Sequence, residues 1–344
     1  MFHDALQHLT VNSTVGRGVV VRTLVLAGLV SSCWVPLRGA PVFEERAKTR
    51  VVHYVHKVWQ TKDGLPENAI NTLTQTPDGY LWIGTQEGLV RFDGVQFTVF
   101  DKRSAPAIRK NFITRVFAAS DSTLWIGTNG GGVVTYRDGD FKRIPLPNER
   151  LEKLVTRFCE DNQGRIWIGT GNGLVRYENG KAEVVTIPGL PSYPNIRSLA
   201  ADRKGNLWIG TIGWGLWRWD GSSVTSYGTR DGLASQTVTS TLVDRNDVVW
   251  VGTREGGLAR IEQGTVHVLQ VPSRYARRGM TRVMMDHDST IIVLSNGLWR
   301  VEGNRLEPYT VVGDNVAAFL TDLYWDHEGG VWVGTFGEAC RSST

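Results

Sequence analysis

Near-copies of one tetrapeptide, Trp-Ile/Val-Gly-Thr, recur along the chain with their tryptophans at Trp82, Trp125, Trp167, Trp208, Trp250 and Trp332. The steps between them are 43, 42, 41, 42 and 82 residues, and the last divides into 42 and 40 around a degenerate copy, Ile292-Val293-Leu294-Ser295. Seven units therefore fill most of the sequence. A unit of about 40 to 45 residues made of short strands can bury its apolar face only against its neighbour, which is the logic of propeller blades. The fold class that follows is all-β: a seven-bladed β-propeller of four-stranded antiparallel blades.

The third unit shows the pattern strand by strand. Leu154 to Glu160 alternates, Asp161-Asn162-Gln163-Gly164 turns the chain, and Arg165 to Thr170 is the strand carrying the tryptophan. Gly171-Asn172-Gly173 reverses it into Leu174 to Tyr177, and a fourth strand runs from Ala182 to Ile187 after Glu178-Asn179-Gly180. The glycine inside each tetrapeptide sits mid-strand, where glycine ordinarily weakens a sheet, so something must crowd it; the adjacent indole is the natural candidate. The six tryptophans read as inter-blade cement. Burying one such ring removes roughly 150 to 250 Å² from water, on the order of 4 to 6 kcal/mol.

The two ends of the chain are expected to meet. Val58 to Leu65 repeats the pattern of Ser226 to Leu233, the end of a fourth strand, whereas the last blade stops at Thr344 without a fourth strand of its own. His53 to Trp59 is expected to complete it, so that the N-terminal strand closes the ring and removes an aggregation-prone edge. Residues 1–40 stand apart from the repeats. Arg17 and Arg22 precede an apolar stretch, Thr23 to Leu37, and Arg38-Gly39-Ala40-Pro41 follows, the pattern of an export signal. Cleavage near Ala40, lipid attachment at Cys33 after Val30-Ser31-Ser32, and retention as a membrane anchor all stay open. The expected organisation is signal or anchor over 1–40, a linker over 41–51, and the propeller over 52–344 with its last blade truncated, in a periplasmic location.

Composition narrows the function classes. Three cysteines without paired spacing argue against a disulfide scaffold or zinc knuckle. A net charge of +4 with scattered Lys and Arg gives nucleic acid no support.

The segments Gly64-Leu65-Pro66-Glu67-Asn68-Ala69-Ile70, Asp78-Gly79-Tyr80-Leu81-Trp82-Ile83-Gly84-Thr85 and Gly88-Leu89-Val90-Arg91-Phe92-Asp93-Gly94 closely resemble the two-component regulator propeller repeat, and the resemblance spans about residues 52 to 337. That family implies the periplasmic sensor part of a bacterial receptor whose output half is a histidine kinase or a GGDEF diguanylate cyclase. It implies ligand sensing without catalysis in the propeller, and a membrane-bound signalling partner. The chain departs from the family after Gly337, reading Glu338-Ala339-Cys340-Arg341-Ser342-Ser343-Thr344, which is expected of a truncated receptor or a stand-alone sensor fragment.

No cofactor or metal is expected. Asp161, Asp202, Asp244, Asp286 and Asp326 each precede their tryptophan, or Ile292, by six residues; they lack the alternating oxygen ligands of a calcium loop and read as turn residues bonding their own backbone. His53 and His56 fall on opposite faces of one strand. No nucleophile elbow, HExxH or P-loop occurs, so no catalytic residue is assigned. A ligand is instead expected on the face formed by the second-to-third turns and the blade-to-blade connections, where the repeats diverge. Candidate residues there are Trp214, Arg254, Glu255, Asn129, Tyr193, Arg109, Arg230, Arg274 and Tyr275. Arginine forks and flat aromatic rings suit a small molecule or oligosaccharide, notably an anionic one. Two alternatives stay open: a lyase or hydrolase propeller acting on carbohydrate, and a protein-interaction scaffold.

Overall fold

A computed structural model describes residues 53–271, 282–286, 288–295, 297–309 and 320–336, together with a strand at 20–26; for 20–26 and 53–56 only the backbone is described. Seven four-stranded antiparallel sheets make up the architecture. Their first strands are Ile70–Gln75, Ile113–Ala118, Val155–Glu160, Ile196–Ala201, Val238–Val243, Arg282–Met285 and Leu320–Trp325. These neighbour one another around the ring and line its central channel. The second strands, Leu81–Thr85, Leu124–Thr128, Ile166–Thr170, Leu207–Thr211, Val249–Thr253, Ile291–Ser295 and Val331–Thr335, carry the repeated tetrapeptide and its degenerate copy. Their residues are buried almost throughout, as expected of strands sandwiched between two blades.

Each tryptophan packs forward into the next blade. Trp82 lies in one core with Ile113 and Ile126 of blade 2, Trp167 with Ile196 and Ile209 of blade 4, and Trp332 with Ile70 and Ile83 of blade 1. In blade 6, Ile292 takes that place against Leu320 and Val333. The crowding of the tetrapeptide glycines has a different cause from the one expected. A Cβ on Gly127 would come within 2.5 Å of Val155 Cγ1, one on Gly169 within 2.8 Å of Ile196 Cγ2, and one on Gly334 within 2.9 Å of Ile70 Cγ2. At these glycines the opening β-branched residue of the following blade, not an indole, occupies the space; at Gly84 and Gly210 that residue crowds in together with Thr72 and Ser198 of the same blade, which stand nearer still. The first strands can approach that closely only because no side chain stands between.

The seventh sheet runs in the order Leu320–Trp325, Val331–Thr335, Val20–Leu26, His53–Trp59. His53–Trp59 is thus the outermost strand, and it pairs with Val20–Leu26, which in turn pairs with Val331–Thr335. The third strand of this blade comes from within the stretch expected to act as an export signal. Its sequence, VVRTLVL, is rich in the β-branched residues that suit a pleated surface. Blades 7 and 1 also meet directly at the channel: Asp322 Oδ2 accepts from Leu73 N at 2.9 Å, and Thr321 Oγ1 donates to the Ile70 carbonyl.

Candidate functional site

Six of the first strands carry a β-bulge between their opening residue and the residue two further on, as between Ile113 and Arg115 or Val155 and Arg157. The bulge turns one extra side chain toward the next blade. Thr114 and Thr156 there donate to the carbonyls of Val155 at 2.6 Å and Ile196 at 2.7 Å, and Asn71 to that of Ile113 at 2.8 Å. These bonds hold the rim of the channel in register just beneath the face where the second-to-third turns emerge.

On that face the turn Gly213-Trp214-Gly215 sets an indole on the backbone that blade 2 builds with Gly130-Gly131-Gly132. Gly213 and Gly215 have positive φ, +83° and +75°, and a Cβ on Gly215 would clash with the Tyr227 carbonyl, so the turn is tight and its central side chain is forced outward. Trp214 stands 53% exposed. Its carbonyl accepts from Trp217 Nε1 at 2.6 Å, which anchors the turn. Trp214, Trp217, Tyr227, Arg230 and Gln236 line a cleft of about 400 Å³. Arg230 sits in the 3₁₀ turn Thr229–Asp231, held by the bond from Gly228 N to Asp231 Oδ2 at 2.8 Å, and its own side chain is exposed.

The remaining expected residues are dispersed. Tyr193, 57% exposed, has the Arg150 guanidinium 5.1 Å from its ring centroid. The backbone N–H of Asn129 donates to the Phe112 carbonyl at 2.9 Å. Arg109, Arg254 and Glu255 are exposed, and Arg254 lies near enough to Arg197 for the two charges to repel. Arg274 and Tyr275 lie outside the described residues. Among the described residues the structure brings together Trp214 with Arg230, and Arg254 with Arg197, while no hydrogen bond, ion pair or ring contact joins Arg109, Asn129 and Tyr193 to those pairs.

One constellation escaped the sequence reading. Ten residues before each tryptophan, or before Ile292, the first strands carry Thr72, Arg115, Arg157, Ser198, Ser240, Arg282 and Asp322. The ring gathers them at the channel. Burial and mutual repulsion push the guanidinium pKa values of Arg115, Arg157 and Arg282 down, that of Arg115 to about 10 and that of Arg282 to about 9; Arg157 is further opposed by Arg115, Arg282 and Arg197. A guanidinium holds its proton across the physiological range, so these shifts express electrostatic strain rather than deprotonation. Asp322, fully buried, forms an ion pair with Arg282.

A second cleft, of about 560 Å³, opens between blades 3 and 4 on the opposite face. Two of its cations are paired: Arg165 with Asp161 at 2.6 Å and Arg203 with Asp247 at 3.0 Å. Glu67, near the second-to-third turn of blade 1, is held above the usual carboxylate range by burial and by Glu87, against the lowering effect of the Gln86 amide. Among the described residues no group of three or more His, Cys, Asp or Glu side chains could hold a metal ion.

Comparison with known proteins places these repeats. Residues 64–87, 151–172, 189–213 and 232–255 match the family model of the two component regulator propeller. No curated protein matches the chain significantly. Among solved structures, the extracellular domain of a putative hybrid two component system from B. thetaiotaomicron superposes with TM-score 0.68 at 24% identity, over 80% of this chain and 40% of that one. The chain thus spans less than half of that structure. A catalytically inactive virginiamycin B lyase from Staphylococcus aureus, solved with quinupristin, gives 0.62 at 17% identity over 78% of this chain and 95% of that one. PorZ of Porphyromonas gingivalis, a surface component of the type-IX secretion system, gives 0.60 at 15% identity over 84% and 50%. At these identities the likeness is one of fold.

Proposed function

The chain carries two component regulator propeller repeats on a seven-bladed ring, and from that premise we propose that it is the ligand-sensing propeller of a bacterial signalling receptor, working outside the cytoplasm and without catalysis of its own. The Trp214 cleft supports the reading most directly. One second-to-third turn holds an indole in solvent beside an exposed arginine at the edge of a cleft. A flat apolar face next to a guanidinium fork suits a sugar ring bearing a carboxylate or sulfate. The ligand class is therefore an acidic oligosaccharide, with a membrane-bound partner reading out its presence. Among the described residues no helix is long and apolar enough to cross a membrane, so anchoring would fall to segments outside them.

The same reading makes His53–Trp59 the latch of the ring. Its end occupies the place that Ser226-Tyr227 holds in blade 4, and the turn after it, Thr61–Asp63 with Gly64 at φ +108°, matches Thr229–Asp231 with Gly232 at φ +106°. The lyase alternative draws on fold likeness alone. Glu67 is a carboxyl with a raised pKa, but nothing described beside it completes an acid, base and metal set.

The deciding experiment is calorimetric titration with acidic and neutral oligosaccharides, repeated on Trp214→Ala and Arg230→Ala. Binding that weakens roughly tenfold or more in either variant, the equivalent of about 1.4 kcal/mol, supports the cleft. Binding indifferent to both substitutions places the site elsewhere, and product formation from any sugar tested overturns the non-catalytic reading.

A further inference from the structure

The channel position ten residues before each tryptophan has a structural duty that needs no arginine. Thr72 Oγ1 accepts from Val116 N at 3.4 Å, Ser240 Oγ from Val283 N at 2.9 Å and Asp322 Oδ2 from Leu73 N at 2.9 Å, while Ser198 Oγ meets Thr241 Oγ1 at 2.7 Å. In each case a short polar side chain ties one first strand to the next. Blades 2, 3 and 6 carry arginine instead, and blade 4 adds Arg197 one residue earlier, where blades 1, 2, 3 and 7 have Asn71, Thr114, Thr156 and Thr321. Long cations replace short hydrogen-bonding groups at four places on one rim.

Their partners leave most of the charge unanswered. Arg115 donates to the carbonyls of Thr156 at 3.1 Å and Asn71 at 3.2 Å, and Arg157 to that of Thr156 at 3.4 Å. A guanidinium has five N–H donors, so donors remain on both. The one carboxylate described in ion-pair contact with the cluster is Asp322, and it serves Arg282. Like charges gathered on a rigid, half-buried rim are costly, and an anion seated among them would relieve the repulsion while meeting the spare donors.

We propose that the mouth of the central channel is a binding site for a compact multivalent oxyanion, a di- or tricarboxylate or a phosphate, held by Arg115, Arg157, Arg197 and Arg282. The site lies on the channel axis and is separate from the Trp214 cleft, so either can exist without the other. Charge count sets the ligand class. Among the described residues, four guanidinium groups against one carboxylate leave a surplus that a singly charged ion would only partly neutralise. The fork geometry of arginine favours planar carboxylate or phosphate oxygens over a spherical halide.

The test is a thermal-shift and calorimetric titration of the full chain with citrate and with inorganic phosphate, each against sodium chloride at equal ionic strength. Saturable stabilisation by citrate, by phosphate or by both, beyond that of chloride, is expected, and the pattern tells carboxylate from phosphate recognition. Arg157→Met should melt no lower than the native chain in the absence of anion, because it removes a repelled charge, and should bind at least about tenfold more weakly. Arg197→Met, at an exposed rim position, should weaken binding without touching the core. Trp214→Ala should leave the anion response unchanged, which separates failure of this site from failure of the oligosaccharide cleft. Equal stabilisation of native chain and both arginine variants, or none beyond chloride, overturns the proposal.

Discussion

The ring of Trp59 stacks on that of Trp332, with centroids 5.1 Å apart and planes at 23°. The same relation joins Phe100 to Trp82 at 5.9 Å and 29°, and Tyr227 to Trp208 at 5.8 Å and 25°. In both of those blades the first partner ends the fourth strand and the second sits on the second strand, all within one continuous stretch of chain. Trp59 comes to the same place from the other end of the sequence. Trp59→Ala should therefore act like Tyr227→Ala rather than like loss of a loose terminus, costing about 3 to 5 kcal/mol. Urea denaturation followed by tryptophan fluorescence checks this; a loss below about 1 kcal/mol would mean that the stack holds nothing together.

The tryptophan period made the blades legible because every unit repeats the same burial problem, so packing writes the same letters six times. The glycine of each tetrapeptide was equally visible, but its cause was not: Val155 and Ile196 lie 28 and 27 residues beyond Gly127 and Gly169, and only the closed ring brings them into contact. The channel arginines were hidden for a related reason. Arg115, Arg157 and Arg282 each stand alone in a short, half-buried strand, and their common feature is the shared position ten residues before the tryptophan or Ile292. Trp214 was visible because its turn differs in sequence from its counterparts. The strand at Val20–Leu26 was obscured by an apolar, arginine-flanked composition that suits export as well as a sheet.

Trp167 Nε1 donates to Asp161 Oδ2 at 2.7 Å, and the same bond recurs from Trp208 to Asp202, Trp250 to Asp244 and Trp332 to Asp326. The other carboxylate oxygen takes the turn amides, Gln163 N at 3.0 Å and Arg165 N at 3.1 Å in blade 3. Burial pushes the Asp161 pKa up, but the bonds from Trp167, Arg165 and the two amides outweigh it and hold the carboxyl below the usual range. A depressed folded-state pKa means that the unfolded chain binds the proton more readily. The stabilisation is thus complete above the unfolded value, about 3.9, and is lost as pH falls through the folded one. Asp161→Asn should cost about 1 to 2 kcal/mol at neutral pH. The gap between variant and native chain should stay level from pH 8 to about 5 and narrow below about 4; a gap unchanged at pH 2 would show that the ionised carboxylate contributes nothing.

Blade 2 lacks this bond, because Ala119 stands where five of the other six turns have aspartate. The turn itself is conventional, with Ala119 N bonded to the Thr123 carbonyl at 2.9 Å. Blade 1 solves the problem with a hydroxyl: Trp82 Nε1 donates to Thr76 Oγ1 at 2.8 Å. Transplanting that solution, Ala119→Thr should raise stability by about 0.5 to 1.5 kcal/mol. Thermal melting of the two chains side by side decides it, and a lower melting temperature in the variant would show that the packing of Ala119 against Trp125 and Phe158 outweighs the new bond.

The contact between Gly127 and Val155 offers a test of how the blades are spaced. A methyl on Gly127 would sit 2.5 Å from Val155 Cγ1 and 2.8 Å from its Cβ, and Val155 is fully buried. Neither side can yield easily, since Val155 is stiff at χ1 and its carbonyl is held by Thr114 at 2.6 Å. Gly127→Ala should therefore cost about 1 to 3 kcal/mol through overpacking. Val155→Ala leaves a cavity and should cost about 1 to 3 kcal/mol on its own account. Combined, the two changes relieve each other, because the added methyl fills part of the space that the valine vacates. The double variant should lose at least about 1 kcal/mol less than the sum of the single losses. Chemical denaturation of all four chains measures the cycle. Strict additivity would mean that the blades slide apart to admit the methyl, and that the glycine at this position answers to the strand's own backbone rather than to its neighbour across the interface.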